Sequence, residues 1–487
     1  MTLKTFANLN LNQSLKDFQV NITELLQLNN ITEWSGTTIK EREEKIREAA
    51  LILAGQCVAI LLDNLSISRE ARETAIHFTR GWWRKKTKKN GLKTRAILTI
   101  GNVIVKLKLP YVVEIKKRKD YKRKLKGQGF CPFLRWLGME SGVTPHVYST
   151  IVKYGRICHS FETARHTLID WGVKISLKRI QRLTYKFGES GLSIRNSKVL
   201  ALERDLLPTG SSFFDKRVII SVDGGRTRVR IDKNEKPNPK TKRKKYTGEW
   251  IEPKLLTIYT VDEKGKKIKN SEVPLINDGT YDNYKKFLKI LEMYLVSLGI
   301  KRAKQILLIA DGAEWIWLHI PPLLNRLGCG HLTHYLLDFY HATEHLQRFA
   351  DAAFNDAQTR KNWFWAARSN LKKGKIFSLI EQMKQDRKSV RGSRRQILTS
   401  QINYFHKRGA KGLFNYQKIR KLNLPIGSGA VESLIRQAVN LRLKGNGKFW
   451  LQQNAEMILH PRCQWLSGNW NNFTNSILTL RIYPGVT

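Results

Sequence analysis

Acidic side chains are scarce in this 487-residue chain: 40 Asp and Glu stand against 87 Lys and Arg, a formal net charge of +47. Self-repulsion of that size is relieved by a polyanion, and nucleic acid is the usual one. Cysteine is scarce too. Cys57, Cys131, Cys158, Cys329 and Cys463 are dispersed, odd in number and form no C-x-x-C pair. A disulfide framework is therefore not expected, and a reducing cytoplasm fits best. Cys329, His331 and His334 are close in sequence, but no second cluster at zinc-site spacing accompanies them. Long apolar runs are missing. The longest, "LILAGQCVAILL" (Leu51–Leu62), is short for a bilayer and contains Gln56, so it is expected to be a core helix. The opening "MTLKTFANLNLNQ" has no apolar signal core, no Walker A lysine motif is present, and no repeat or low-complexity tract appears. These absences lead to the expectation of a cytoplasmic, nucleoid-associated protein with no membrane partner.

What is present reads as ordinary globular sequence, 41% hydrophobic and 26% charged, long enough for two or three domains. A helical region is expected over 1–93. A basic DNA-binding region follows over 94–200. In it, "AILTIGNVIVKLKLPYVV" alternates like two strands around a Gly-Asn turn. Lysine-rich shoulders flank that hairpin, with Lys116, Lys117 and Lys119 on one side and the aromatics Trp82, Trp83 and Tyr121 nearby. Lysines also protect edge strands from aggregation, but this density favours contact with a nucleic-acid backbone. "SFETARHTLIDWGVKISLKRIQRLTYKFG" (160–188) predicts a helix, a turn at Gly172 and a second helix capped by Ser176. That is helix-turn-helix grammar, with Lys178, Arg179 and Arg182 on the recognition helix, although any pair of helices gives a similar pattern.

From 201 to 487 the pattern changes. "RVIISVDGG" is an apolar, β-branched strand that runs into Asp223, and "QILLIADG" does the same into Asp311. Strands are read at 217–223, 226–231, 253–262, 305–311 and 331–339, with helices at 280–298 and about 314–327. A helical tract occupies about 341–420, and a last helix opens after "PIGSG", with Glu432 in its first turn. Three strands, a helix, a strand, a helix, a strand and a final helix make the order of the ribonuclease-H-like α/β fold. In that fold strands 1 and 4 are neighbours, so the expectation is that Asp223, Asp311 and Glu432 converge. The gap of 121 residues between Asp311 and Glu432 (432 − 311) makes the helical tract an all-helical insertion. Carboxylates held on rigid strand ends are the hard oxygen donors that two Mg²⁺ (or Mn²⁺) ions need for in-line phosphodiester cleavage and strand transfer. Arg436, Arg442 and Lys444 give the last helix a phosphate-binding character.

These residues carry a resemblance. "SVDGGRTRVR", "IADGAEWIW", "LDFYHATEHL" and "PIGSGAVESLIRQAVNLRLKGNGKFW" resemble, in order, the catalytic blocks of Mutator-like DDE transposases, more narrowly insertion-sequence transposases of the Kra group. The resemblance covers about 217–468. It implies Asp223, Asp311 and Glu432 as the metal-binding triad, Asp338 and His341 as an Asp-x-x-His element, and Trp450 as a DNA-contacting tryptophan. It also implies terminal inverted repeats and target DNA as partners, with a homo-oligomer bridging two ends. Some relatives carry paired cysteines between the hairpin and the helix-turn-helix. Only Cys131 stands there, so a zinc-stabilised module is not supported. Two other readings stay open. "HATEH" matches the inverted zinc-peptidase motif, with His341 and His345 as ligands and Glu344 as base. A catalytically inactive, transposase-derived regulator would also keep the basic regions.

Overall fold

The computed structural model describes residues 5–6, 10–29, 31–80, 86–115, 129–241, 244–268 and 273–482. Lys116, Lys117, Lys119, Tyr121, Trp82 and Trp83 lie outside these. The chain forms two compact units, 1–194 with 470–487, and 195–469. The sequence reading divides the chain differently, at 93/94 and 200/201, and assigns the C-terminus to the catalytic domain. The C-terminal helix joins the first unit because its aromatics pack there. Trp470 stacks on Phe187 at 5.5 Å between ring centroids, and Phe473 meets the same ring edge-on at 5.7 Å.

In the first unit, helices α1 (Leu11–Leu26), α2 (Gly36–Ile67) and α3 (Arg69–Phe78) precede an antiparallel hairpin of β1 (Thr87–Leu98) and β2 (Ile104–Glu114). The expected Gly-Asn turn is there: Gly101 and Asn102 both adopt positive φ, at 68° and 60°. Along β2, Val105, Leu107 and Leu109 are buried while Lys106 and Lys108 are exposed, the period-2 pattern of a half-buried strand. α2 is long and apolar enough to span a membrane by length and composition. Here Ala59 and Leu62 join the core beneath the hairpin, and Thr99 Oγ1 donates to the Gly55 carbonyl at 3.0 Å. A side chain at Gly55 would collide with the backbone of Ile100, so glycine permits this close approach. Helices α4 (Pro132–Trp136), α5 (Pro145–Ile157), α6 (Phe161–Ile169) and α7 (Leu177–Glu203) follow. The turn between α6 and α7 contains Gly172 at φ +63°, and Ser176 Oγ accepts from the Arg179 N–H at 3.4 Å, as the sequence predicts.

The second unit is a mixed α/β structure. Its strands are β3 (Arg217–Gly224), β4 (Thr227–Asp232), β5 (Tyr246–Ile251), β6 (Lys254–Val261), β7 (Ile276–Thr280), β8 (Gln305–Ala310) and β9 (Thr333–Leu337). The five-stranded sheet has the order β9-β8-β3-β6-β7. β9, β8 and β3 are parallel, and β6 runs antiparallel to both of its neighbours, β3 and β7. Two helices connect these strands, α8 (Tyr284–Ser297) and α9 (Glu314–Arg326). One sequence expectation fails. The strand read at 226–231 does not enter this sheet: as β4 it pairs with β5 in a separate two-stranded ribbon, with one further bridge from Val229 to Trp450. The third place in the sheet goes to β7, whose "INDGT" resembles a turn. Beyond β9 stand α10 (Phe339–Ala353), α11 (Ala357–Lys372), α12 (Ile376–Lys388), α13 (Gly392–Ala410) and α14 (Tyr416–Lys421). The helix expected after "PIGSG" is only six residues of α-helix, α15 (Gly429–Leu434). It continues as a π-helix over Ile435–Asn440, before α16 (Gln452–Leu466).

Candidate active site

Burial explains why β3 and β8 are central. Val218, Ile219, Ile220 and Val222, and Ile306 through Ala310, are all fully buried. Parallel register places Ala310 beside Val222 and Leu337 beside Ala310. The next residues on the three neighbouring strands are therefore Asp223, Asp311 and Asp338, a row of aspartates along the carboxyl edge of the sheet. Open α/β sheets bind ligands at this edge. The sequence reading brings Asp223 and Asp311 together, and the register does so.

The electrostatics agree. Burial and the neighbouring carboxylate of Asp311 push the Asp223 carboxyl up to about 7, with Glu432 and Asp338 adding to the rise and the Gly224 N–H opposing it. That N–H donates to Asp223 Oδ1 at 2.6 Å, and the Ala313 N–H donates to Asp311 Oδ1 at 3.0 Å. Glu432 arrives from α15, where the Ser428 hydroxyl donates to its Oε1 at 3.3 Å. Thus Glu432 lies within electrostatic reach of Asp223. Yet among the described residues no three His, Cys, Asp or Glu side chains are gathered closely enough to hold a metal ion. The donors fit a hard divalent cation in kind, and mutual repulsion is what a cation would relieve.

Asp338 meets His341 through the backbone: its Oδ1 accepts the His341 N–H at 2.7 Å, capping α10, and its Oδ2 accepts the Ser428 N–H. The buried Asp338 thereby ties the sheet edge to the turn that carries Glu432. Gly427 makes room for this: a Cβ there would lie 2.7 Å from the Tyr340 ring. His341 occupies the first turn of α10, with its ring 5.3 Å from that of His345.

Helix α13 contributes two side chains that sequence reasoning missed. The Tyr404 hydroxyl is pushed well up by burial, with Asp311 and Asp338 among the causes, so this phenol stands near both carboxylates. The Arg408 guanidinium lies 3.9 Å over the Tyr404 ring and donates to the Gly312 carbonyl. An open groove of about 850 Å³ leads outward along α13 past Arg395, Thr399, Asn403 and Lys407. Only a basic, helical composition hinted at these residues.

The peptidase constellation does not assemble. The His345 Nδ1–H donates to Gln401 Oε1 at 2.7 Å, and its ring stacks on Tyr404 at 3.6 Å. Burial foremost, with His341, Arg348 and Arg408 nearby, lowers its pKa to about 4. Glu344 is exposed, 3.9 Å from Arg348.

Of the DNA-contact candidates, Lys178, Arg182 and Arg436 are exposed. Arg179 is not free to read DNA. It is half-buried and donates from Nη2 to the Gly142 carbonyl at 2.9 Å; burial first, then Arg182, lowers its pKa. Arg442 is also corrected: it is buried, 5.1 Å over the Trp450 ring. Trp450 is structural at its backbone, where its carbonyl accepts the Arg230 N–H at 2.8 Å, and at its indole N–H, which donates to the Leu443 carbonyl at 3.1 Å. No protein-family model matches this chain, and no curated protein matches it.

Proposed function

We propose that the second unit is a ribonuclease-H-like, metal-dependent enzyme that cuts and joins DNA strands, the chemistry of an insertion-sequence transposase. The observation that carries this reading is the alignment of Asp223 and Asp311 at the ends of adjacent central strands, with Glu432 close enough to raise the Asp223 pKa. The strand order and directions support the fold name, and the +47 charge supports a polyanionic substrate.

Bound divalent ions would polarise the scissile phosphate, generate the nucleophile and stabilise the leaving oxygen. Asp223, Asp311 and Glu432 would hold them. A water oxygen attacks phosphorus, the P–O3′ bond breaks, and the departing 3′-oxygen takes a proton. In the joining step that 3′-hydroxyl attacks a phosphorus of the target strand. The target's own P–O3′ bond breaks as the new P–O bond forms, and the proton lost by the attacking hydroxyl is balanced by the one the departing 3′-oxygen takes up. Asp338 keeps the Ser428–Glu432 turn against the sheet edge. Arg408, beside Gly312, stands where a phosphate would approach.

The test is incubation of the protein with Mg²⁺ or Mn²⁺ and a plasmid carrying the DNA that flanks its gene, followed by analysis of nicked and joined strands. Cleavage lost in Asp223→Asn with DNA binding retained supports the reading. Specific binding without any cleavage favours the inactive regulator.

A further inference from the structure

The β4–β5 ribbon leaves the sheet two residues after Asp223, and nothing in the chemistry above uses it. Its two faces differ. Thr227 and Val229 are buried, whereas Arg226 and Arg228 are exposed beside Trp250, which is 47% exposed. Register pairs Arg228 with Trp250, Arg230 with Gly248 and Asp232 with Tyr246. The arginines lie over the aromatics. Arg226 and Arg228 are each 4.8 Å from the Trp250 centroid, Arg228 is also 5.7 Å from Phe449, and Arg230 is 4.8 Å from Tyr246. A Cβ at Gly248 would come 2.7 Å from Phe449, so the glycine seats that ring.

A guanidinium lying over an aromatic ring is held in place, and its five N–H donors stay directed outward at its edges. Arg230 spends some of its donors on Asp232, at 2.5–2.8 Å. Among the described residues neither Arg226 nor Arg228 has a carboxylate or hydrogen-bond partner. The strands are joined by "KNEKPNPKTKRKK" (233–245), whose lysines and arginine far outnumber its single glutamate. The arrangement is a preformed row of phosphate forks beginning three residues from Asp223.

We propose that this arginine–aromatic face binds the sugar-phosphate backbone of a nucleic-acid strand and leads it to the carboxylate edge. The placement beside the carboxylates rests on the proposed function; the binding does not. Alternate residues on a strand are about 6.6 Å apart, so Arg226 and Arg228 reach separate phosphates.

The full chain, in EDTA so that no cleavage occurs, is titrated with a fluorescent duplex and the matching single strand across a range of KCl concentrations. Each lost phosphate contact should reduce the slope of log K against log salt by about 0.9 on duplex or about 0.7 on single strand. Arg226→Ala/Arg228→Ala should therefore lower the duplex slope by about 1.8, and Arg226→Lys/Arg228→Lys should keep it. An unchanged slope in the alanine variant, with or without a fall in Tm, makes the arginines a brace for the ribbon and overturns the proposal. An equal loss of binding to phosphatidylserine vesicles overturns the nucleic-acid assignment. If wild type never cleaves DNA but the slopes behave as stated, only the catalytic reading fails. If it cleaves and the alanine slope does not move, only this one fails.

Discussion

Asp223 and Asp278 flank the same strand, β6, one residue apart in register: Asp223 pairs with Leu255 and Asp278 with Leu256. Adjacent positions on a strand face opposite ways, so the two carboxylates lie on opposite faces of the sheet. Their chemistry is opposite too. Asp278 is fully buried and surrounded by partners: Arg195 Nη1 at 3.2 Å, His460 Nδ1 at 2.8 Å and the Tyr294 hydroxyl at 2.9 Å. Burial alone would raise its pKa, but His460 and Arg195 outweigh it and hold the carboxyl down at about 2. Arg195 also donates to Glu456 at 2.6 Å, locking α16 onto β7. Asp223 meets other carboxylates instead and sits at about 7. Burial raises both pKa values; the neighbours decide whether that rise is reversed, as at Asp278, or reinforced, as at Asp223. A completed network is structural, and an uncompensated one carries a repulsion that a cation would relieve.

The comparison breaks most visibly in catalysis. Asp223→Asn or Asp311→Asn should reduce strand cleavage by at least about 1000-fold while the protein stays folded. Near-normal cleavage by either variant would falsify the assignment. Asp278→Ala should act on stability, costing about 3 kcal/mol by urea unfolding because buried Arg195 loses one of its two carboxylate partners and keeps Glu456. A cost under about 1 kcal/mol would show that the network is not what holds α16.

Titration sharpens the contrast. The folded pKa of Asp278 lies below its unfolded value, so its contribution is complete above about pH 4 and is lost as pH falls toward 2. The folded pKa of Asp223 lies above its unfolded value. Its ionised form therefore opposes folding above pH 7, and that penalty disappears as pH falls from 7 toward about 4. Stability should rise from pH 8 to 5 and fall below 4, and Asp223→Asn should remove the rise. Mn²⁺ at a hundredfold excess over its Kd should stabilise wild type by about 2.7 kcal/mol. Its midpoint concentration should be lower at pH 8 than at pH 6, where a proton must first leave. A pH-independent midpoint, or an undiminished Mn²⁺ effect in Asp223→Asn, would detach the ion from this carboxylate. The smallest effect is expected from an acid belonging to neither centre. Glu344→Ala should change stability by no more than about 0.5 kcal/mol and leave cleavage unaltered. Loss of activity in that variant, with folding intact, would revive the peptidase motif.

Asp223 and Asp311 were legible because each follows a predominantly apolar run, β-branched apart from Ser221 in the first and mixed Ile, Leu and Ala in the second, which needs a fully covered strand. Asp278 was not. Its "NDG" context imitates a turn, and its partners Arg195 and His460 are 83 and 182 residues away. β4 was legible as a strand, yet its sheet was not: alternation of Thr227 and Val229 with arginines states which face is inward and nothing about which strand lies alongside. The same gap hid the aromatic partners of those arginines in β5. Asp338 was found from its motif, but its capping of α10 and its hold on Ser428 depend on a loop 90 residues later. Glu432 was placed by the Gly-Ser-Gly turn before it. The π-helix that follows has no counterpart in the residue pattern.

The five helices between β9 and α15 also impose a delay. Asp311 and Glu432 are 121 residues apart (432 − 311), and at roughly 5–20 residues per second the ribosome needs about 6–24 s to make that stretch. Throughout that interval a nascent chain displays Asp223 and Asp311 and has no third carboxylate to set beside them. If those three residues are the cutting centre, the enzyme is harmless to nearby DNA while it is being made. Prematurely terminated chains ending within the helical tract would then carry the basic residues of 1–194 without the C-terminal helix that packs on Phe187 and without the third carboxylate.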